Sequence, residues 1–469
     1  MTTPRPRPDH QAGFSLLELL IALVVAIEIL VAAAIAFDVH NKMAVVQSQV
    51  TDLQQSLRIA QYDVARLTRM AGRGGLPAAI RPDAVFNPAD PIPQLGGLGI
   101  ELRDNVTDAT DRHIARGVNT SPQALEGTDI LIVRGCFSGS VYQLQPNAFL
   151  PTDSNGDLLA DGDVSFSIDA RSVAGIPQPL GPLVEQVNVA NTRPLMIFVS
   201  PVARTQFGVG RVTASDPTSG DPSQLQVTVN VDPGSTLNPE VRRGAPFNDI
   251  ARGMEPNMTA ALACLLEEYR YYIREEHEIP GDATSALRPR LTRARFEPGT
   301  ELPYANDAQN YSLDLADGVF DLQVALGLDT DYPSTSSTSP GSFEDDADFD
   351  GPDDTIFEAA AGSTDRNHDD WLYNDPTDDP TDSQYRVHAF TGRVGQPVLL
   401  YHVRVTTIAR TLRGDPAYRA PDFDATAGTD LVEDHDYDQA PASNFKSDEN
   451  RKFRRRMLTT MIETRNLRS

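Results

Sequence analysis

From Phe14 to Ala71 the chain contains neither proline nor glycine, and this uninterrupted run constrains the fold more than any other feature. Its first part, Phe14 to Phe37, is almost wholly apolar. As a helix rising about 1.5 Å per residue it spans about 36 Å, enough to cross a hydrocarbon layer of about 30 Å. The second part is amphipathic: Val39, Met43, Val46, Val50, Leu53, Leu57, Ala60, Val64, Leu67 and Ala71 follow one another by four and three residues. That spacing lines apolar groups along one stripe of a helix. Gly72, Gly74, Gly75 and Pro77 then stop it. The sequence therefore predicts one helix of roughly 85 Å at about 1.5 Å per residue. Its stripe fits either a sheet of the same chain, the preferred reading, or the seam of a coiled-coil dimer.

Two carboxylates, Glu18 and Glu28, interrupt the apolar part. A charge near the centre of a membrane helix costs about 2.5 to 3.5 kcal/mol on insertion scales, so it persists where a partner exists. The two acids are ten residues apart, about 280° around the helix, and do not share a face. Arg5 and Arg7 precede the span; by the positive-inside rule they keep the N-terminus cytoplasmic and send the remainder outward.

After Gly72 the pattern changes to short β-type runs between Pro, Gly and Asp clusters. Strands are predicted at Asp129 to Gly135, Pro194 to Val202, Leu225 to Val231, Glu268 to Glu276 and Pro397 to Arg410. The fold class is α+β, with the long helix on an antiparallel sheet. Residues 138–260 offer no fold assignment of their own.

The net charge of −26 and pI of about 4.6 argue against a nucleic-acid partner. The cationic tail Arg451 to Arg456 is better read as a strand packed beside an acidic domain. HExxH, GxxxxGK[ST] and GxSxG are all missing from the sequence, and the chain is expected not to be an enzyme. Cys136 and Cys264 are the only cysteines and form no CxxC, which excludes a thiolate metal cage. A disulfide and two buried thiols both remain open.

An acidic block runs from Glu344 to Asp382, with fifteen carboxylates and one arginine. Asp346, Asp348, Asp350 and Gly351 reproduce the start of a DxDxDG calcium loop. Glu358 follows one residue later than the closing acid should. No cofactor is required; calcium is the candidate ion, and a solvated acidic loop is the plain alternative.

The stretch "GFSLLELLIAL", Gly13 to Leu23, resembles the class III signal of type IV prepilins and type II secretion pseudopilins: a short basic leader ending in glycine, an aromatic residue, then a glutamate five residues into the mature chain. This resemblance implies a type IV pilin fold, cleavage between Gly13 and Phe14 by a prepilin peptidase, and methylation of the new Phe14 amine. It also implies an assembly role for Glu18, whose carboxylate meets the Phe14 amine of a neighbouring subunit. It supplies no role for Glu28.

Three later stretches are similar to the PilW-type minor pilins and the related J-type pseudopilins: "EYRYYIREE" with "LTRARFEPG", "LADGVFDLQVALGLDTD" (Leu315 to Asp331), and "FRRRMLTTMIETRNLR" (Phe453 to Arg468). The implied organisation is a leader at 1–13, a transmembrane and filament-core helix at 14–37, its amphipathic continuation at 38–71, and a periplasmic or extracellular β-rich domain at 72–469 with an acidic insertion at about 332–384. The implied partners are other minor and major pilins, the prepilin peptidase, the inner-membrane assembly platform and the lipid bilayer. The implied location is the bacterial inner membrane, and later the extracellular pilus, where the chain initiates assembly near the tip. A J-type pseudopilin is the alternative within the family. A signal-anchored, calcium-dependent surface adhesin or hydrolase is the alternative outside it.

Overall fold

Helix α1 runs from Leu16 to Met70, 55 residues, in the computed structural model. The structure describes residues 15–74, 94–96, 99–106, 109, 112–115, 118–138, 141–144, 152, 162–172, 194–199, 207–217, 224–231, 262–279, 281–298, 302–304, 311–329, 370–373, 399–415, 418–420, 431–432, 435–436 and 450–464. The helix stops where the sequence places its glycines. Gly72 and Gly74 adopt left-handed backbone angles of 72° and 103°, which glycine reaches without steric cost. The Gly72 amide leaves the helix to donate to the Arg134 carbonyl at 2.9 Å.

Two compact units divide the chain within this helix, residues 1–52 and 53–469. In the first, every described side chain from Ser15 to Phe37 is exposed.

The second unit is built of antiparallel strands: β1 (Gln94–Gly96), β2 (Ile100–Val106), β3 (Thr128–Gly135), β4 (Tyr142–Leu144), β5 (Asp163–Ser172), β6 (Leu195–Val199), β7 (Phe207–Pro217), β8 (Gln224–Asn230), β9 (Leu262–Leu265), β10 (Glu267–His277), β11 (Leu287–Phe296), β12 (Ser312–Asp317), β13 (Val319–Asp329), β14 (Asp370–Tyr373), β15 (Leu399–Arg410), β16 (Leu431–Val432), β17 (His435–Asp436) and β18 (Arg455–Glu463). A six-stranded sheet has the order β1-β2-β3-β10-β11-β12, and a four-stranded sheet the order β14-β13-β15-β18. The five runs with β-type composition become β3, β6, β8, β10 and β15. Strand β14 lies inside the acidic segment read from sequence as a loop, and pairs with β13 from Leu326 to Asp329.

Both sheets contribute to one core with the helix. Leu53, Leu57, Ala60, Val64 and Leu67 pack with Leu131, Val133, Tyr271 and Ile273 of the first sheet and with Leu322, Val324, Val403, Val405 and Ile462 of the second. The stripe read from the sequence is thus used by this chain's own sheets from Leu53 onward. Its earlier members Val39 and Met43 are exposed. Polar bonds fix the helix in register on the sheets. The Gln61 side-chain amide donates to the Leu458 carbonyl at 2.5 Å and to Thr407 Oγ1 at 3.0 Å.

The sheets themselves are stitched together at Gly318. Its amide donates to the Pro289 carbonyl, and its carbonyl accepts from the Arg410 amide. A Cβ at this position would stand 2.7 Å from the Arg410 carbonyl oxygen, so the close approach of the two strands requires glycine.

The segment between β3 and β10, which sequence reading left without a fold, is a closed six-stranded barrel of order β4-β5-β8-β7-β6-β9. Alternate residues fill its interior, among them Val164, Phe166 and Ile168 from β5 and Leu225, Val227 and Val229 from β8. Phe166 meets Phe198 edge to face at 5.1 Å. Cys136 and Cys264 form a disulfide across 128 positions of sequence, at the base of this insertion. Gly74 presses against it: a Cβ built there would overlap both sulfurs.

Charged groups buried in the first sheet are paired, as burial demands. Arg134 donates to Glu101 and Glu268, both at 2.6 Å, and Arg270 donates to Glu268 at 2.7 Å. Burial alone would depress Arg134, but its two carboxylates override that effect and hold it above the ordinary arginine range.

Candidate assembly site at the start of the helix

Among the residues read as functional, Glu18 is the one whose surroundings the structure describes in most detail. The Ser15 amide donates to Glu18 Oε2 at 3.0 Å, and the Glu18 amide donates to Ser15 Oγ at 3.2 Å. This reciprocal pair is a capping box: a serine caps the helix and a glutamate three residues on bonds back to the serine amide. The S-x-x-E spacing is visible in the sequence, yet reading Glu18 only as a partner for a neighbouring amine overlooks it. The box fixes the helix start at Leu16. It also holds the carboxylate in the first turn, where the exposed amides and the helix dipole favour negative charge.

Residues Gly13 and Phe14, assigned to processing, lie outside the described residues. The geometry therefore concerns the turn that follows the proposed cleavage point. Glu28 is exposed, farther along the same apolar helix. Helix α1 is long and apolar enough to cross a membrane, with none of its most apolar window buried. Such exposure is tolerable where lipid or other apolar helices replace water.

Residues 8–26 match the family model described as the prokaryotic N-terminal methylation motif. The segment is a prepilin-type signal. No curated protein and no solved structure matches the chain. The methylation motif covers the leader end, the capping box and the first turns of the apolar helix. It supports a pilin or pseudopilin, a structural rather than catalytic class of protein, with a membrane-anchoring helix and with prepilin peptidase and other pilins as general partners.

The other candidate residues are placed as follows. Cys136 and Cys264 are bonded to each other and buried, far in sequence from the motif. Asp346, Asp348, Asp350 and Glu358, the calcium candidates, lie outside the described residues. Among the described residues no group of three or more His, Cys, Asp or Glu side chains is placed to hold a metal ion. Tyr269 and Tyr271 lie on the face of β10 that packs into the helix core, and Tyr272 on the opposite face, in a separate cluster with Ile130 and Ile132. Burial, with Glu267 adding to it, raises the Tyr269 hydroxyl to about 12. The Tyr269 and Tyr271 phenols serve packing and hydrogen bonding, Tyr272 serves packing, and none is tuned for proton transfer near neutrality.

Proposed function

We propose that this chain is a PilW-type minor pilin. It is cut between Gly13 and Phe14, methylated at Phe14, held in the inner membrane with its β domain in the periplasm, and incorporated near the tip of a type IV pilus to start assembly. The observation that carries this reading is the methylation motif at residues 8–26, joined without a break to an apolar helix whose continuation is seated on a β domain. The buried disulfide favours an oxidising compartment for the domain. Glu18 sits on the first turn, where it can receive the cationic amine of an adjoining subunit once proteolysis creates it. In lipid, such a pairing offsets the cost of the isolated charge.

The test is mass spectrometry of the mature chain from its native bacterium. The expected N-terminus is N-methylphenylalanine at position 14, together with loss of surface pili in cells lacking the chain. An unprocessed chain, a start after Ala36, or normal piliation without the protein would reject the reading.

A further inference from the structure

The turn that ends helix α1 lies directly on the disulfide. Cys136 and Cys264 are both fully buried, and a Cβ built on Gly74 would overlap both sulfurs. The two cysteines otherwise belong to an apolar cluster with Leu195, Ile197, Val199, Val209 and Leu266. Gly74 itself is only half-buried, so its main chain reaches from the bond toward the surface. Main-chain bonds tie the turn to β3: the Gly72 amide donates to the Arg134 carbonyl, and the Cys136 amide to the Arg73 carbonyl, both at 2.9 Å. At Gly135 a Cβ would come within 3.0 Å of the Met70 carbonyl oxygen, so strand and turn are in close contact along this seam.

We propose that oxidation of Cys136 and Cys264 gates the seating of the α1 end: the turn closes over the bonded pair and is pushed off by the two free thiols. Unbonded sulfurs stand at van der Waals separation, well beyond a covalent bond. In a close-packed apolar cluster the extra room comes from the neighbour that yields at least cost. Ile197 is fixed between Val209 of β7 and Cys264 of β9, whereas the turn is tied down by two main-chain bonds. The turn therefore yields. The redox partner is a thiol–disulfide oxidoreductase of the oxidising compartment. The two cysteine thiols pass two electrons and two protons to its disulfide, which becomes a dithiol, by way of a mixed disulfide. Such an enzyme needs the sulfurs uncovered, so it acts before the turn seats, and afterwards Gly74 shields the bond from reductants. The device lies wholly within the second unit, residues 53–469, and is independent of how the N-terminus is processed.

The test follows hydrogen exchange in peptides covering residues 70–74 and 134–137 of the full-length, detergent-solubilised chain. Three forms are compared: the oxidised chain, the chain reduced in denaturant and refolded with reductant present, and the Cys136→Ala, Cys264→Ala variant. Exchange in the reduced chain should rise at least about tenfold in both peptides while β10 and β11 stay protected. The alanine pair, which lacks both the bond and the crowding sulfurs, should keep the turn protected. Protection of the turn in the reduced chain, or its equal loss in the alanine pair, would overturn the inference.

If the reduced chain does not refold, the rate at which tris(carboxyethyl)phosphine reduces the oxidised chain decides. Asp63→Ala removes a bond that seats the helix on β10 and β11, and should speed reduction at least about tenfold by easing local opening. Asp314→Asn, on the edge strand β12 and brought to the same global stability with urea, should not. Equal rates in all three chains, or equal acceleration by both substitutions, would show that seating of the turn does not control access to the bond.

Discussion

Arg293 Nη1 donates to both carboxylate oxygens of Asp63 at 2.9 Å, and the Tyr271 hydroxyl donates to Asp63 Oδ2 at 2.9 Å. One helix carboxylate thereby ties α1 to two adjacent strands, β10 and β11. The ion pair is largely shielded, with side chains 18% and 21% exposed. Removing the acid leaves the Arg293 guanidinium without its carboxylate, and the Tyr271 hydroxyl with only the Asp63 main-chain carbonyl at 3.3 Å, in partly dry surroundings. Asp63→Ala is therefore expected to destabilise the domain by about 2 to 3 kcal/mol. Urea denaturation of the detergent-solubilised chain measures this. A change below about 0.5 kcal/mol would mean that apolar packing alone seats the helix.

The disulfide joins Cys136, ahead of the inserted barrel, to Cys264 in its last strand, β9, so its loss frees a loop of 128 positions in the unfolded chain. Chain entropy sets the expected cost of the Cys136→Ser, Cys264→Ser pair at about 5 kcal/mol. Gly74→Ala tests the same junction from the helix side. The new methyl would overlap both sulfurs and occupy a backbone angle of 103°, so a loss of about 1 to 3 kcal/mol is expected. An unchanged midpoint for Gly74→Ala would show that the turn after the helix is free to move off the disulfide.

Acid should weaken the outer part of the first sheet through Asp314. Burial would raise this carboxyl, but hydrogen bonds from Arg274, Arg290 and Thr292 outweigh that effect and lower it below its ordinary 3.8. A carboxylate depressed in the folded state contributes stability above its unfolded pKa and loses that contribution as pH falls through the folded value. Stability should therefore drop as pH falls below about 4, the unfolded value, and the Asp314→Asn variant should show a shallower drop there. Superimposable pH profiles would remove Asp314 from the acid response.

The helix and the β-type strands were legible because each rests on local sequence. The absence of Gly and Pro to Ala71, the three-and-four spacing, and branched or aromatic runs all act within a few residues. The barrel was not legible. Its strands lie among Pro- and Asp-rich connections, and its closure depends on pairings such as β4 with β9, Tyr142 against Ala263, that no short window contains. The seam was also overextended: periodicity treats Val39 and Leu53 alike, while only the latter meets a sheet. At the candidate site, Glu18 is legible through its position after glycine and phenylalanine, and its bond to Ser15 through the S-x-x-E capping spacing, a signal independent of the family motif.

Capping and charge pairing at Glu18 can be separated by one substitution. Glutamine at the third helical position can also close a capping box, so Glu18→Gln should keep the bond to the Ser15 amide while removing the negative charge. Ser15→Ala does the reverse, losing a cap worth about 1 kcal/mol and keeping the acid. If Glu18 works by meeting the Phe14 amine of an adjoining subunit, Glu18→Gln should be cleaved normally yet enter filaments as poorly as Glu18→Ala, whereas Ser15→Ala should enter nearly as well as the parent chain. Immunoblots of sheared pili against whole-cell protein measure this ratio. Normal incorporation of Glu18→Gln, with a defect in Ser15→Ala, would assign the geometry of the turn to helix capping and remove the amine pairing from the assembly mechanism.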